Sequence, residues 1–373
     1  MQRSLQRVFQ FKRLYLLLLT PLGLLLTFVA SRHPRAVEKI YAQGLHLFLE
    51  RTIGWFISLF PFSLTELLIV AAVLFALWYI VRTIRRNVKN KKTWKHIWYR
   101  FCVNVLCTAS LAYFLFVMTM GLDYYRLPAS EYLGLEVTEY SKEDLEEVCR
   151  YLALHAAETR AALEEDENGV SKLSDDNWWA TSKEAARCFN AMAKDHPGIG
   201  TLTARNKPMI FSKMMSSVLT MGLYFPYTFE SNINVDMTAY TVPSTMCHEL
   251  SHVKGFMREE EANFLGFLSC MYSDRPDFRY SGYMMAFEYA IRQLAEQDEA
   301  AASGIVALVG DGVLRDDAAD GAYWEKYRHT VISDTSEKVY DGYLRSNGQT
   351  DGMRSYGKML DLVIEWYKQN VQN

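Results

Sequence analysis

The sequence predicts an α-helical membrane anchor with three transmembrane helices, followed by a mostly helical α+β domain that contains a small sheet. Three apolar runs fill the first third of the 373-residue chain, and a charged region of mixed composition follows them. Within that region, a short stretch of alternating polar and apolar residues precedes a helix that carries two histidines. These observations divide the chain into a membrane domain, residues 1–121, and a second domain, residues 122–373.

The three apolar runs cover residues 14–30, 65–81 and 99–120. Each is long enough, or nearly so, to cross the hydrocarbon core of a bilayer as a helix. The first run has a basic start and small residues near Ala30 and Ser31, which is also the pattern of a secretory signal peptide. Because this run is longer than the apolar core of an ordinary signal peptide, it favours an uncleaved anchor.

Basic residues set the expected orientation of these helices. Eight Lys and Arg residues lie from Arg82, directly after the second run, to Arg100, at the start of the third, with no acidic residue among them. Arg3, Arg7, Lys12 and Arg13 stand at the N-terminus. Such basic segments stay on the cytoplasmic side of a membrane. The N-terminus is therefore expected in the cytoplasm, and the whole second domain is expected outside it.

Charge divides the chain at the same place. Residues 1–121 hold 16 Lys and Arg against 3 Asp and Glu, a net charge of +13, and since the chain total is −3, residues 122–373 carry −16. A domain this acidic repels nucleic acid and anionic lipid, so nucleic-acid binding is excluded for it. The basic connection between two spans is interpreted as a signal of membrane orientation and not as a nucleic-acid-binding patch. The six cysteines have no CxxC spacing and do not indicate a compartment.

The second domain contains the pattern His248-Glu249-x-x-His252. Two histidines four residues apart share one face of a helix, so both imidazoles can bind one metal ion, and the glutamate lies beside the metal-bound water. The flanking residues are those of a short helix, since Pro243 fits a first turn and Gly255 can end a helix in a left-handed conformation. The pattern predicts two zinc ligands and a catalytic glutamate, the alternative being two core histidines.

A catalytic zinc site has three protein ligands and leaves its fourth position to water. The third ligand is expected directly after the motif, where three consecutive glutamates begin a second helix. Glu259 is the predicted ligand and Glu261 the runner-up, although such an acidic run is also typical of a solvated helix start. Asn263 shares a helical face with Glu259 and is expected to orient that carboxylate or a histidine.

From His248 to Phe264 the sequence resembles a bacterial domain-of-unknown-function family of three-span membrane proteins with a zincin-like extracytoplasmic domain. The resemblance extends over most of the chain and includes residues 61–64, 224–228, 230–235 and 343–357. It implies a zincin-like fold with the small sheet next to the motif helix, a zinc peptidase activity and a place in the bacterial cell membrane. Two features depart from glutamate zincins. Asn263 stands where their ExxxD element has aspartate, and the gap after His252 is shorter.

Two further roles are expected by comparison with zinc peptidases in general. In zincins an edge strand beside the active-site helix binds peptide substrate as an added strand, and the alternating pattern after Glu230 predicts that role here. An ordinary covered hairpin strand is the alternative. Tyr280 or Tyr283 is a candidate hydrogen-bond donor to the oxyanion, although a packing role is common among 23 tyrosines. The predicted substrate strand comprises Asn232, Ile233, Asn234 and Val235.

These patterns together predict a membrane-anchored zinc metallopeptidase whose partners are a peptide or protein substrate and the lipid bilayer. Zinc lowers the pKa of its water to about seven, and Glu249 takes a proton as water attacks a carbonyl, then passes it to the leaving amine. The alternative is a non-catalytic, zinc-stabilised membrane sensor or scaffold. It would have a closed site with Glu261 or Cys247 as a fourth ligand.

Overall fold

The computed structural model describes residues 12–349 and 358–372. Arg3 and Arg7 of the basic N-terminus, and residues 350–357 of the family resemblance, lie outside the described residues. Within the described part, the protein is mostly helical and has one three-stranded sheet, which confirms the coarse fold that the sequence predicts.

Three helices have the length and the apolar composition to cross a membrane: Lys12–Ala30, Leu64–Lys89 and Lys91–Tyr125. Most side chains in these segments are exposed, as a lipid-facing surface requires. The first and third helices pack together, and the Thr20 hydroxyl donates to the Ser110 hydroxyl at 2.7 Å. The prediction of three apolar helices of spanning length is therefore confirmed.

The α-helices are labelled here in chain order, apart from those of the segment between the first two spans. They are α1 (Leu19–Ala30), α2 (Leu64–Lys89), α3 (Trp94–Phe116), α4 (Ala129–Leu133), α5 (Lys142–Ala161), α6 (Trp178–Asp195), α7 (Ser212–Ser217), α8 (Val242–Val253), α9 (Glu259–Met271), α10 (Pro276–Gln297), α11 (Glu299–Val306), α12 (Gly310–Glu325), α13 (Val331–Ser346) and α14 (Met359–Asn370). Short 3-10 turns occur at Lys12–Leu18, Lys91–Thr93, Asp123–Tyr125 and Ala239–Thr241, and a π turn occurs at Val117–Gly121.

The segment between the first two spans, residues 34–58, is a continuous run of helical turns that we call the connecting segment. Its parts are Pro34–Ala36, the wide π turns Val37–His46 and Glu50–Gly54, Leu47–Leu49, and Trp55–Ser58. Glu38 forms a two-pronged ion pair with Arg126 at 2.9 and 3.0 Å, and Glu50 accepts the backbone amide of Thr203 at 3.0 Å. The connecting segment thus packs on the second domain. The predicted boundary after residue 121 remains a prediction.

The second domain is built around α8, the helix that carries the histidine motif. This helix contacts α6, α9, α10 and all three strands of the sheet. Its neighbours bury large apolar side chains against it, among them Phe189, Phe264 and Phe267, each 0% exposed. Local sequence patterns mark the starts of the outer helices. At α5, the Ser-x-x-Asp pattern of Ser141 and Asp144 forms a capping box. The motif helix therefore lies in the centre of the core.

The sheet consists of β1 (Asn206–Pro208), β2 (Gly222–Phe225) and β3 (Glu230–Ile233) in the order β1-β3-β2. β1 runs parallel to β3, whereas β2 is antiparallel to it. β3 is therefore the middle strand, and this corrects the assignment of Asn232, Ile233, Asn234 and Val235 to a substrate-binding edge. A strand paired on both sides has no free backbone edge for a further strand. The sequence pattern identified a strand beside the motif helix, but not its position in the sheet.

Candidate metal centre

The helix α8 begins and ends where its sequence predicts. Pro243 occupies the first turn, where its missing N–H costs no hydrogen bond. Gly255 has a φ of +83°, and its amide donates to the His252 carbonyl at 2.9 Å, which closes the C-terminus. Eleven of the 12 residues of α8 are buried, and His248 is the partly exposed one. The helix therefore meets solvent at the position of the first motif histidine.

Close packing of α8 against α9 sets the distance between the two histidines and the glutamates that follow them. A Cβ added to Gly266 of α9 would lie 3.1 Å from the backbone nitrogen of His248 and 3.3 Å from its Cα. Only glycine lets the two helices approach this closely without a shift of the backbone. The start of α9, with its three glutamates, is thereby brought over the histidine face of α8.

Three side chains converge between these two helices. The Nε2 atoms of His248 and His252 lie 3.1 Å apart, and Oε2 of Glu259 lies 3.3 Å from the first and 3.7 Å from the second. All three side chains are largely buried, with 13%, 7% and 5% of their surface exposed. The structure thus brings together the two motif histidines and the glutamate that the sequence favours as third ligand.

The spacing of these three atoms fits a single tetrahedral metal ion. Two atoms bound to one zinc ion at about 2.1 Å with tetrahedral angles lie about 3.4 Å apart. The observed separations of 3.1, 3.3 and 3.7 Å lie on both sides of that value. Two imidazoles and one carboxylate are also a donor set that catalytic zinc sites use. The cluster can therefore hold zinc with no rearrangement larger than a few tenths of an ångström.

Hydrogen bonds behind the cluster orient two of its ligand atoms. Nδ1 of His252 lies 2.8 Å from the Phe256 carbonyl oxygen, which only accepts, so in the neutral ring the lone pair is on Nε2 and faces the cluster. The Tyr340 hydroxyl donates to Oε1 of Glu259 at 2.6 Å, which leaves Oε2 turned towards the histidines. Tyr340 comes from α13, and nothing in its local sequence indicates this role.

The cluster attracts positive charge. Burial favours the neutral imidazole of His252, but the charge and hydrogen bond of Glu259, the charge of Glu249 and the Phe256 carbonyl together outweigh burial and raise the pKa of His252 to about 9. Burial would also raise the pKa of Glu259, yet the neighbouring histidines hold it well below its usual value. A site with one ionised carboxylate and a readily protonated imidazole stabilises a cation at its centre. A metal ion competes with a proton for that place.

Glu249 lies beside the cluster in a nearly closed space. Its side chain is buried, and its Oε2 has no hydrogen-bond partner within residues 12–349 and 358–372. Burial raises the pKa of Glu249 more than the nearby His252 and His248 lower it. A buried carboxylate oxygen without a protein partner is costly unless it binds another group, such as water. Glu249 is therefore placed to accept a proton from a small molecule at the cluster.

Of the two edge strands of the sheet, β2 is the one that runs past Glu249. A Cβ added to Gly222 would clash with the Glu249 carboxylate, so a larger residue there would displace the Glu249 side chain. The Asn234 amide donates to the Met221 carbonyl at 2.8 Å, and this fixes the alternation along β2. The backbone groups of Gly222 and Tyr224 therefore point away from β3, towards the outer edge of the sheet, where the Tyr224 backbone amide hydrogen-bonds to the Glu249 carboxylate. β2 takes the place beside the glutamate that the sequence analysis gave to β3.

The two tyrosines predicted as oxyanion donors are engaged elsewhere, and that prediction is corrected. The Tyr280 hydroxyl is buried and donates to Asp316 at 2.8 Å, in an ion-pair network with Arg160. Tyr283 packs in the core against Tyr151 and accepts from Arg279 at 3.5 Å. Both side chains belong to α10, whose motif-facing contacts are made by other residues. Their burial explains their position without a catalytic role.

The remaining candidates have other partners. Glu261 accepts from Arg258 at 2.6 Å and from the Ala129 amide at 3.2 Å, so it neutralises a neighbouring cation instead of joining the histidines. Cys247 is fully buried and interacts with Cys270 in the core, where burial and that thiol raise its pKa. Neither residue reaches the cluster as a fourth ligand. Asn263 is buried one turn after Glu259, and its amide donates to the Tyr289 hydroxyl at 3.3 Å, so its orienting role remains a prediction.

Comparison with protein families gives one match. The model of the family described as "Protein of unknown function (DUF3810)" matches residues 41–364. The protein belongs to this family. The match covers the second and third apolar helices, the cluster and Glu249, so it confirms the family membership expected from the resemblance. The three helices long and apolar enough to cross a membrane agree with the expected number of spans. No curated protein and no solved structure gave a match. The zincin-like character of the DUF3810 domain remains a prediction.

Proposed function

We propose that this DUF3810 protein is a membrane-anchored zinc metallopeptidase. One observation carries the proposal: Nε2 of His248, Nε2 of His252 and Oε2 of Glu259 lie 3.1–3.7 Å apart, in a shape that matches three corners of a zinc tetrahedron. A buried glutamate and a free strand edge adjoin that cluster. Structural zinc sites are usually closed by four protein ligands, whereas a set of three leaves room for water.

Each residue near the cluster has a defined task in this proposal. A bound zinc ion supplies a Lewis acid and a water whose pKa is lowered to about seven. Glu249 accepts a proton from the water nucleophile and later donates it to the leaving amine, a role for which its raised pKa is suited. The free edge of β2 holds the peptide backbone in extended form beside Glu249.

The proposed site lies outside the cytoplasm. Eight Lys and Arg residues, from Arg82 to Arg100, lie where the second span ends and the third begins, and they favour a cytoplasmic position for this connection. With three spans, the chain after Tyr125 is then on the opposite side from the N-terminus. In a bacterium this places the cluster at the outer face of the cell membrane. Attaching an alkaline phosphatase reporter at the C-terminus tests this, because the enzyme is active only when exported, and an inactive fusion would contradict the topology.

The decisive experiment for the activity compares two glutamate variants of the full-length protein in detergent. Glu249→Gln removes the base but no ligand, so it should retain zinc and lose at least about a hundredfold in turnover. Glu260→Gln is the matched control, since Glu260 lies next to a ligand but accepts from Gln349 instead. Both are assayed on a mixed peptide library, free and acyl-anchored. A Glu249→Gln protein that cleaves as fast as the parent would overturn the proposal.

A non-catalytic zinc-stabilised sensor or scaffold is the second candidate, and the burial of the cluster favours it. The three ligand side chains are at most 13% exposed, and Tyr340 covers one carboxylate oxygen. Cobalt substitution separates the two candidates, because an open site has an exchangeable water that small anions displace. A change in the cobalt visible spectrum on adding cyanide supports the peptidase, and an unchanged spectrum supports the closed site.

A further inference from the structure

We infer that the cluster acts on membrane-embedded polypeptides, at the segment where they emerge from the outer leaflet. The inference rests on the proposed peptidase function and names its substrate class. It is carried by the contacts that tie the ligands, the edge strand β2 and an apolar loop to the ends of the spans.

Two chains of side-chain contacts link the ligands to the third span. On one side, the ring of Tyr224 lies 6.5 Å from the ring of His252, and its hydroxyl donates to the Thr119 carbonyl at 3.4 Å. Thr119 belongs to the third apolar helix, Lys91–Tyr125. A single side chain therefore separates a metal ligand from the span. The cluster lies at the membrane surface and not at the far end of the domain.

The second chain of contacts starts at Glu259. Tyr340, which donates to this glutamate, stacks on Tyr343 with ring centroids 6.0 Å apart. The Tyr343 hydroxyl in turn lies 3.5 Å from the sulfur of Met120, and its ring packs edge-on against Phe116. Two tyrosines thus connect the third ligand to the same end of the same span. The two series of contacts reach the span within five residues of each other, so both place the cluster at the same depth relative to the bilayer.

The edge strand continues from Glu249 into the apolar zone. Gly222 lies against Glu249, and β2 leads from there to a turn, residues 226–229, that carries Tyr227. The Tyr227 hydroxyl donates to the Ala112 carbonyl at 3.1 Å. Ala112 lies inside the apolar run, eight residues before Met120, which corresponds to about 12 Å of helix. Gly222 and Tyr227 are five residues apart, so at most about 17 Å of chain separates the residue that contacts the proposed base from a side chain beside the span.

A second segment, residues 210–214, also places this part of the domain at the membrane surface. Ile210, Phe211 and Met214 are 80%, 50% and 66% exposed, although they are large and apolar. The carboxylate of Glu66, in the first turn of α2, accepts the backbone amides of Ile210 and Phe211 at 3.0 and 2.8 Å. This loop is thus held at the outer end of the second span, where lipid can cover its apolar side chains. It leads into β2 within eight residues.

A substrate strand added to β2 would run between Glu249 and the lipid. A soluble peptide gains nothing from this geometry, whereas a chain that leaves the bilayer beside the third span enters the edge already extended and aligned. The short distance also limits which bonds reach the cluster. About 17 Å of extended chain corresponds to five residues. Allowing up to twice that length, the scissile bond should lie within about ten residues of the membrane anchor.

The test uses the full-length, zinc-loaded protein in liposomes with three substrates. They carry the same randomised 40-residue polar segment, either free, attached to a transmembrane helix in the same vesicle, or attached to that helix through a further 30-residue spacer. Cleavage sites are mapped by mass spectrometry, and Glu249→Gln gives the background. We expect cuts within about ten residues of the helix, in the spacer where one is present, and a rate on the free substrate at least tenfold lower.

Every outcome decides between the claims. Equal rates on all three substrates, or cuts spread evenly along the segment, would overturn this inference and leave the peptidase function intact. Absence of cleavage of any substrate would remove the peptidase function, and the inference with it. Cleavage of the spaced substrate only beyond its spacer would also contradict the membrane-proximal geometry.

A readout independent of catalysis checks the position of the turn. Cys102 is the exposed cysteine, and the other five are buried, so a Cys102→Ser background allows selective labelling of one introduced cysteine. A fluorophore on Tyr227→Cys should be quenched at least twofold by lipids brominated in their acyl chains. A fluorophore on Glu158→Cys, whose side chain is 75% exposed on α5, is the control. Equal quenching by aqueous iodide at both positions would contradict the insertion of the turn.

Discussion

At the scale of single residues, the orientation of Glu259 depends on a partner that is distant in sequence. The Tyr340 hydroxyl holds Oε1 at 2.6 Å, so Oε2 faces the two histidines. Groups that orient metal ligands in this way commonly contribute ten- to a hundredfold to metal affinity. The position of Tyr340 also places a hydroxyl next to the cluster, where Tyr280 and Tyr283 had been expected to act.

We predict that Tyr340→Phe weakens zinc binding by ten- to a hundredfold, because Glu259 loses the hydrogen bond that fixes its second oxygen. Competition with a chromophoric zinc chelator measures the affinity. Tyr343→Phe is the control, since that hydroxyl pairs with Tyr124 and lies one turn away on the same helix. Equal affinity in Tyr340→Phe and the parent protein would show that the bond has no role in metal binding.

Zinc affinity should depend on pH through His252. Its pKa is raised to about 9, with Glu259 as the main cause of the increase, so below pH 9 the metal must displace a proton. We expect the affinity to rise about tenfold per pH unit up to pH 9 and then level off. In the metal-free protein, stability changes with pH in the opposite direction to zinc affinity. The stabilisation from protonated His252 is complete below pH 6.5 and is lost as pH rises through 9.

Zinc titrations and thermal unfolding between pH 6 and 10 measure both trends. The metal-free protein should unfold at a progressively lower temperature above pH 6.5, while the zinc-loaded protein should not. His252→Asn abolishes both trends if His252 is their source. A zinc affinity that is constant from pH 6 to 9 would contradict the ion pair between His252 and Glu259.

At the scale of elements, the close packing of α8 and α9 determines whether the ligands meet. Gly266 allows this approach, since a Cβ there would lie 3.1 Å from the His248 nitrogen. We predict that Gly266→Ala destabilises the protein by about 1–3 kcal/mol through overpacking and also weakens zinc binding, because the helices must separate.

Gly304→Ala should have the opposite effect on stability, because this glycine is not tightly packed. Gly304 lies inside α11, and a Cβ there meets nothing within 4 Å. Alanine should therefore stabilise by about 0.5–1 kcal/mol through its helix propensity, with zinc affinity unchanged. Chemical denaturation of both variants gives the comparison. Equal effects of the two substitutions would show that the α8–α9 contact is not as tight as described.

The sequence was informative about helices and less so about strands. Apolar runs, a capping box and the Pro243–Gly255 pair predicted the spans, α5 and α8, because these signals are local. The period-two pattern located β3 but could not place it in the sheet, since strand order depends on β1 and β2. Gly222 of the edge strand β2 contacts Glu249, which is 27 residues later in the sequence, so no local pattern predicts this contact.

At the scale of the whole molecule, the membrane part and the second domain share buried polar contacts. His46 of the connecting segment lies between Asp123 and the end of the motif helix. Its Nδ1 is 2.7 Å from Oδ2 of Asp123, and its Nε2 donates to the Val253 carbonyl at 2.9 Å. Glu230 of β3 accepts the backbone amide of Thr65 at 2.7 Å, at the start of the second span. These partners are more than 75 residues apart in sequence, so no local sequence pattern indicates the contacts.

We predict that Glu38→Gln in the full-length protein lowers its unfolding temperature by several degrees. Burial raises the pKa of Glu38, but Arg126 overrides that effect and lowers it, so the ion pair contributes stability above about pH 4.5 that is lost on acidification. Removal of one partner from a buried pair typically costs about 3–5 kcal/mol. Glu131→Gln, on the exposed face of α4, is the control. An unchanged unfolding temperature in Glu38→Gln would show that the connecting segment is not docked.

The central claim is that one zinc ion is bound by two imidazoles and one carboxylate, with a position left for solvent. Zinc K-edge X-ray absorption on the full-length protein tests it most directly. We expect one zinc per chain, with nitrogen and oxygen neighbours at about 2.0–2.1 Å, two imidazole scattering patterns and no sulfur. A sulfur shell at about 2.3 Å, or a folded protein that takes up no zinc, would contradict the account.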